Sequence, residues 1–94
     1  MINYFSTKAY RIIESSESQE LSFDVDLQAV SVVNDGDADV VITIYLNAHH
    51  KRETDPKEIT FTVKSDESFE EVFYTTFSKI SINASSDYRM ILRL

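Results

Sequence analysis

Short runs of aliphatic, aromatic and β-branched residues recur about every ten residues along the chain, with polar clusters between them. The clearest run, LSFDVDL at residues 21–27, alternates strictly between apolar and polar side chains. Residues 40–47, 58–64, 79–84 and 88–94 show a similar period of two, which is typical of strands with one buried face. No stretch could serve as the crossover helix that parallel strands require. The sequence therefore predicts an all-β fold, an antiparallel β-sandwich of about 7–8 short strands that is jelly-roll-like or Ig-like.

The length and composition are those of one packed domain. A chain of 94 residues leaves no room for a second core, so residues 1–94 are expected to form a single β-sandwich domain. Apolar residues make up 43% of the chain, which suffices for one core. Because the chain has no Cys, packing must supply the stability that disulfides or thiolate zinc sites give other small domains.

The alternation also assigns side chains to an inward face. Apolar positions are odd-numbered from Leu21 to Leu27 and even-numbered at Val30 and Val32. A one-residue slip within a strand would turn the core set towards solvent, so we expect a β-bulge or a bend at Gln28-Ala29. The later runs place the following residues inward: Val40, Ile42, Ile44, Leu46, Ile59, Phe61, Val63, Ile80, Ile82, Ala84, Tyr88, Met90, Leu92 and Leu94.

Three segments lack this clear alternation. Residues 4–13 have β-type residues on both alternating sets and are read as a first strand, and ESSESQE at residues 14–20 is read as a solvated loop. Residues 68–77, SFEEVFYTTF, combine helical spacing and a capping box with residue types that prefer strands. We expect an extended or irregular segment there, and a helical turn at residues 69–73 is the alternative.

Three aspartates, Asp35, Asp37 and Asp39, surround the only glycine between two Val-rich runs. They copy the first three ligand positions of an EF-hand loop. The twelfth position, however, is Leu46, where that loop requires a bidentate glutamate. We therefore expect a β-hairpin turn here, and a weak divalent-cation site is the alternative.

The parity of the flanking strands restricts this hairpin. Inward residues are even-numbered on both sides, so the loop must hold an odd number of residues for opposed residues to share a face. A three-residue loop, at residues 35–37, would pair Val32 with Val40, and a five-residue loop would pair Val32 with Ile42. Gly36 is expected to supply a positive φ angle to this turn.

Other constellations give no catalytic centre. His49 and His50 are adjacent, so along an extended chain they point to opposite sides and cannot readily share a metal. One glycine cannot form a phosphate-binding loop, and no Ser-His-acid order can be assembled. We expect a protein that is not an enzyme and that has no catalytic, cofactor-binding or metal-ligating residues.

Charge excludes several classes of partner. The formal net charge of −7 opposes binding to nucleic acid and to anionic membrane surfaces. The first residues, MINYFSTKAYRII, contain no continuous apolar segment of the kind that a signal peptide needs. We therefore expect a cytoplasmic or virion location rather than secretion through a signal peptide.

The outward face of the strand at residues 40–47 is unusual. Its side chains are Val41, Thr43 and Tyr45, and the outward side chains of the next strand include Thr60 and Thr62. This surface is too apolar for ordinary solvation and too polar for a core, so we interpret these five residues as a subunit interface.

Tyrosines offer a different interpretation. Tyr10, Tyr45, Tyr74 and Tyr88 could form an aromatic platform for sugar rings, as in small carbohydrate-binding β-sandwiches. The chain has no Trp, and a buried ring with its hydroxyl at the rim is the commoner role for tyrosine. A carbohydrate- or ligand-binding module is therefore the alternative function.

About two-thirds of the chain resembles small β-sandwich structural proteins of tailed bacteriophages and prophages. The shared features are an Asn-Asp-Gly turn after a Val-rich strand (LQAVSVVNDGDADVVITI), the stretch FSKISI, and a last strand with arginine near its end (YRMILRL). The resemblance implies a head, neck, tail or baseplate component that acts by assembly as a homo-oligomer or within a larger protein complex. It assigns no functional residue.

Overall fold

The computed structural model describes residues 9–47 and 57–94, and the fold of this part is all-β. Its strands are β1 (Ala9–Ser15), β2 (Gln19–Asn34), β3 (Val40–Leu46), β4 (Glu58–Val63), β5 (Ser68–Asn83) and β6 (Tyr88–Arg93). They form one antiparallel six-stranded sheet of order β1-β6-β2-β5-β3-β4. The predicted all-β class is confirmed. Residues 4–8 of the predicted first strand and the His49–His50 pair lie outside the described residues.

The two central strands, β2 and β5, are each 16 residues long and change neighbours along their length. Residues 29–34 of β2 pair with β6, whereas residues 77–83 of β5 pair with β3. The sheet therefore has two halves. We call them the β6 half, which consists of β1, β6, residues 29–34 of β2 and residues 68–72 of β5, and the β3 half, which consists of β3, β4, residues 19–27 of β2 and residues 77–83 of β5. The two halves enclose one common core, as in a sandwich.

The bend between the halves falls where the apolar parity changes. The β2–β5 register shifts on both sides of Leu27, between Ser22 and Leu27 and again between Leu27 and Ala29. Leu27 and Ala29 are both buried, and Val30 begins the even-numbered buried set. The expected irregularity at Gln28-Ala29 is thus confirmed, and it allows both ends of one strand to face the same core.

Backbone and side-chain hydrogen bonds of Asn47 support this bend. The Asn47 backbone N–H donates to the Thr76 carbonyl oxygen at 2.8 Å. The Asn47 side-chain amide donates to Asp26 Oδ1 at 3.0 Å and to Thr76 Oγ1 at 2.9 Å, and its oxygen accepts from Ser78 Oγ at 3.1 Å. These bonds satisfy polar groups at a place where the strand register is broken.

The core contains most of the predicted inward residues. Fully buried side chains come from both halves, namely Leu27, Val30, Val32, Val40, Ile42, Ile44, Phe77, Ile80, Ile82, Tyr88, Met90 and Leu92. Leu21, Phe23, Val25, Leu46, Ile59 and Phe61 are partly buried against them. Leu94 is 56% exposed, so its prediction as an inward residue is wrong. It lies one residue beyond the end of β6, where the pairing of β6 with β1 and with β2 stops at Arg93.

Within residues 9–47 and 57–94, two pairs of predicted strands are continuous. Residues 21–27 and the following Val-rich run form the single strand β2, and residues 68–77 and 79–84 are joined in β5. The segment at residues 69–73 is extended, as we expected, and contains no helical turn. The predicted loop at residues 14–20 is shorter, because β1 continues to Ser15 and β2 begins at Gln19.

The predicted hairpin at residues 32–42 is wrong. Strands β2 and β3 are not neighbours, since β5 lies between them in the sheet. Val32 pairs with Phe69 and Met90, whereas Val40 pairs with Val63. The aspartate loop is instead an arch that carries the chain from the β6 half to the β3 half. The inward parity is the same for an arch and for a hairpin, so the pattern could not separate them.

Candidate interaction surface

The five predicted interface residues lie together on the outer side of the β3 half. In the register of β3 with β4, Val41 opposes Thr62, Thr43 opposes Thr60 and Tyr45 opposes Glu58. Directly opposed residues of antiparallel strands share one side of the sheet. We call the surface formed by Val41, Thr43, Tyr45, Thr60 and Thr62 the threonine face.

The threonine face continues across β5 with small polar side chains. Val41 opposes Asn83 and Thr43 opposes Ser81 on the other side of β3. Ser81 in turn opposes Glu20 of β2. Two rows of uncharged side chains therefore cross three strands before the first charge is reached.

The hydroxyl groups of the two central threonines, Thr43 and Thr60, are hydrogen-bonded to each other. Thr43 Oγ1 and Thr60 Oγ1 are 3.1 Å apart, within hydrogen-bond distance. Burying a hydroxyl without a partner is costly, whereas a hydroxyl already bonded within its own chain can be covered at a lower cost. The centre of the threonine face can therefore lose its water without leaving these two hydroxyls unpaired.

Charged side chains lie at the rim of this surface. Glu58, Tyr45 and Lys79 occupy one row, across β4, β3 and β5. The Lys79 ammonium group lies 5.0 Å from the centre of the Tyr45 ring, in a cation–π arrangement. An uncharged centre with a charged rim is the usual anatomy of a protein–protein interface.

The aspartate arch has a different role, which centres on Asn34 at the end of β2. Asn34 is 1% exposed, and its side-chain amide donates to the carbonyl oxygens of Ala38 and Val63, both at 2.8 Å. Its side-chain oxygen accepts the Gly36 N–H at 3.0 Å. The arch is thus held from inside by one buried amide.

The predicted positive φ angle at Gly36 is wrong. The only residue with a positive φ angle in the described chain is Asp66, at 63° in the turn between β4 and β5. At Gly36 a Cβ atom would collide with the Ser86 side chain and would lie 2.8 Å from the backbone nitrogen of Asp87. Glycine is needed here because the turn at residues 84–87 approaches closely, a contact that the local sequence does not reveal.

Asp35 on the arch is engaged by Arg89 of β6. Arg89 Nε and one terminal nitrogen donate to the two Asp35 carboxylate oxygens at 2.6 and 2.9 Å. This bidentate bond lowers the pKa of Asp35 against an opposing effect of desolvation, and the positive charge of Arg89 lowers it further. Within residues 9–47 and 57–94, no three His, Asp or Glu side chains are grouped so that they could hold a metal ion.

Three of the four tyrosines of the predicted platform lie apart in the structure, and the side chain of Tyr74 lies outside its described part. Tyr88 is 1% exposed, and its hydroxyl donates to the Glu17 carbonyl oxygen and accepts from Gln19 Nε2, both at 3.0 Å. Tyr10 on β1 lies edge-on to Phe23, at 5.9 Å between ring centres. Tyr45 lies on β3, which is separated from β1 by three strands of the sheet (β6, β2 and β5). No platform is formed by these three tyrosines.

A second apolar surface was missed by the sequence reasoning. On the outer side of the β6 half, Ile12 opposes Ile91, and Val72, which is 66% exposed, opposes Ala29. The signal was the presence of β-type residues on both alternating sets of the first predicted strand. Two side-chain hydrogen bonds cross this surface: Arg93 donates to Ser31 Oγ at 2.8 Å, and Ser31 donates to Glu70 Oε2 at 3.0 Å. The mixture of long charged and apolar side chains makes it less uniform than the threonine face.

In the described ranges, no helix is long and apolar enough to cross a membrane. Comparison with protein-family models, with curated proteins and with solved structures gave no match to this chain.

Proposed function

We propose that this protein is a non-catalytic structural subunit that acts by self-association through the threonine face. The observation that supports this proposal is the uncharged centre of that face in a chain with 25 charged residues, the sum of 9 Lys or Arg and 16 Asp or Glu. A face of a solvated monomer would be expected to carry charges throughout, as β2 does with Asp24 and Asp26. The threonine face carries them only at its rim.

The resemblance to small structural proteins of tailed bacteriophages and prophages gives the proposal its biological setting. A head, neck, tail or baseplate accessory protein works by repeated contacts with copies of itself or with a larger ring. A closed symmetric contact of this kind buries the same face on both copies. A stable contact would bury about 1,200–2,000 Å² in total.

Light scattering coupled to size-exclusion chromatography tests self-association. We expect the wild-type protein at high micromolar concentration to have a mass that is a multiple of 10.8 kDa. Thr43→Lys should dissociate the oligomer, because it places a charge in the uncharged centre of each copy, and circular dichroism should show that the monomer stays folded. Ser68→Lys is the matched control, since Ser68 is exposed on the β6 half.

The virion part of the proposal has its own test. Mass spectrometry of particles purified from an induced host should recover this chain in a constant ratio to the other particle proteins. A wild-type protein that stays monomeric, with no partner recovered from such particles, would defeat the proposal. Binding of that monomer on a glycan array would then favour the ligand-binding module.

A further inference from the structure

Strand β4 lies at one end of the sheet order and has a free edge within the part of the chain that the structure describes. The Leu46 N–H donates to the Lys57 carbonyl oxygen at 2.9 Å, just before β4 begins. Backbone groups along an antiparallel strand alternate in direction, so those of the odd-numbered residues of β4 point to β3. The N–H and C=O groups of Glu58, Thr60 and Thr62 therefore point to the free edge.

This edge is more regular than the other edges in the described residues. Strand β1 has a register shift between Ala9 and Arg11. The first part of β5 carries Glu70 and Glu71 next to its own register shift. By contrast, β4 pairs with β3 in unbroken register from Glu58 to Val63. Bulges and charges block the pairing of edge strands, and β4 has neither in its middle four residues, Ile59 to Thr62.

We propose that the β4 edge pairs antiparallel with β4 of a second copy of this chain, so that two sheets join across a two-fold axis. This inference deepens the proposed self-association and rests on it. Edge pairing joins the threonine faces of two copies into one continuous surface, and burial of that surface against a second edge-paired dimer is the face contact proposed above. The partner is the same chain because the edge is complementary to itself, as the register shows.

Two conditions select the register. Ile59, Phe61 and Val63 face the core side, so core-side residues of one copy must oppose core-side residues of the other. Opposite charges must also face each other at the ends of the strand. When Phe61 of one copy opposes Phe61 of the other, Glu58 opposes Lys64 of the second copy, and this pair occurs twice in the dimer. Thr60 then opposes Thr62 of the second copy, and Ile59 opposes Val63.

Each layer of this pairing joins compatible groups. The edge-directed backbone groups of Thr60 meet those of Thr62 in a hydrogen-bonded pair. The two Phe61 rings meet in a non-hydrogen-bonded pair, where side chains approach more closely. Glu58 and Lys64 are exposed in the single chain, so their pairing needs no rearrangement of the core.

Cysteine cross-linking tests the register, since the chain has no Cys of its own. We expect a mixture of the Thr60→Cys and Thr62→Cys proteins to form a disulfide-linked dimer under mild oxidation. Each variant alone should not, because equal residues would be offset by two positions, with Cα atoms about 8 Å apart and beyond disulfide reach. Thr43→Cys reports the stacking of threonine faces separately from edge pairing, because Thr43 lies on β3 and not at the free edge of β4.

Charge exchange supplies a second test that leaves the backbone unchanged. Glu58→Lys and Lys64→Glu should each raise the dimer Kd about tenfold, since each places like charges opposite each other twice. The double variant should return to within about threefold of the wild type. An unchanged Kd in both single variants would overturn the edge pairing.

The outcomes separate this inference from the proposed function. A monomeric wild type defeats both. An oligomer in which the mixed pair does not cross-link, or cross-links no better than Thr60→Cys alone, keeps self-association and overturns the β4 register. An oligomer in which the mixed pair cross-links and neither variant does so alone supports both.

Discussion

The side-chain amide of Asn34 donates a 2.8 Å hydrogen bond to the carbonyl oxygen of Val63 and so ties the end of β2 to the end of β4. The backbone of Asn34 is bonded to the turn after β4 as well, since its N–H donates to the Glu67 carbonyl at 3.0 Å and its carbonyl accepts the Asp66 N–H at 3.2 Å. One buried residue therefore connects the two halves of the sheet where the aspartate arch meets the turn between β4 and β5.

Asn34→Ala is expected to lower the free energy of unfolding by about 2–4 kcal/mol, because it leaves a buried carbonyl oxygen (Val63), a partly buried one (Ala38) and the Gly36 N–H without partners. Chemical denaturation measures this change. Asn83→Ala is the control, since Asn83 is exposed and should change the free energy by less than about 0.5 kcal/mol. Equal effects of the two substitutions would contradict the role of Asn34 as the buried connection.

Gly36→Ala is expected to destabilise the protein by about 1–3 kcal/mol, because its Cβ would displace the turn at residues 84–87. Gly36→Asn separates this cause from a backbone one. Asn tolerates positive φ angles, so Gly36→Asn would destabilise the protein only slightly if backbone conformation were the reason for glycine. If the reason is steric, Gly36→Asn should destabilise it at least as much as Gly36→Ala. A mild Gly36→Asn in thermal melts would argue against the close approach.

The Asp35–Arg89 pair should make stability depend on acid pH. The pKa of Asp35 is lowered in the folded state, so its contribution is present above the unfolded pKa, about 3.9, and is lost as the pH falls through the lower folded value. Asp35→Asn should therefore reduce the Tm at pH 6, and the difference from the wild type should shrink below about pH 4. A difference that stays constant down to pH 2 would show that the carboxylate charge is not responsible.

Millimolar calcium is expected to leave the Tm nearly unchanged. Calcium takes about 6–8 oxygen ligands, and the Asp35 carboxylate is already held by Arg89. Differential scanning fluorimetry with and without calcium measures the effect, and magnesium serves as the ionic-strength control. A saturable rise that Asp37→Asn abolishes would reveal cation binding, since a ligand that binds the folded state raises the Tm.

The sequence by itself determined which side chains face the core. Strict alternation at residues 21–27 and the change of parity after Leu27 predicted both the buried set and the bend, because a strand with one buried face must follow a period of two. The same period of two predicts that Val41, Thr43 and Thr60 face outward, and the register of β3 with β4 brings them together on one surface.

Only the tertiary structure decided which strands pair and why Gly36 is a glycine. Val32 and Val40 face the core whether their strands are hydrogen-bonded neighbours or, as here, lie in opposite halves of the sheet. Alternation reports burial, whereas pairing depends on contacts between residues far apart in sequence, such as Gln19 with Ile82. The approach of Ser86 to Gly36 is likewise a contact between the aspartate arch and the turn at residues 84–87, which are far apart in sequence, so no local pattern could contain it.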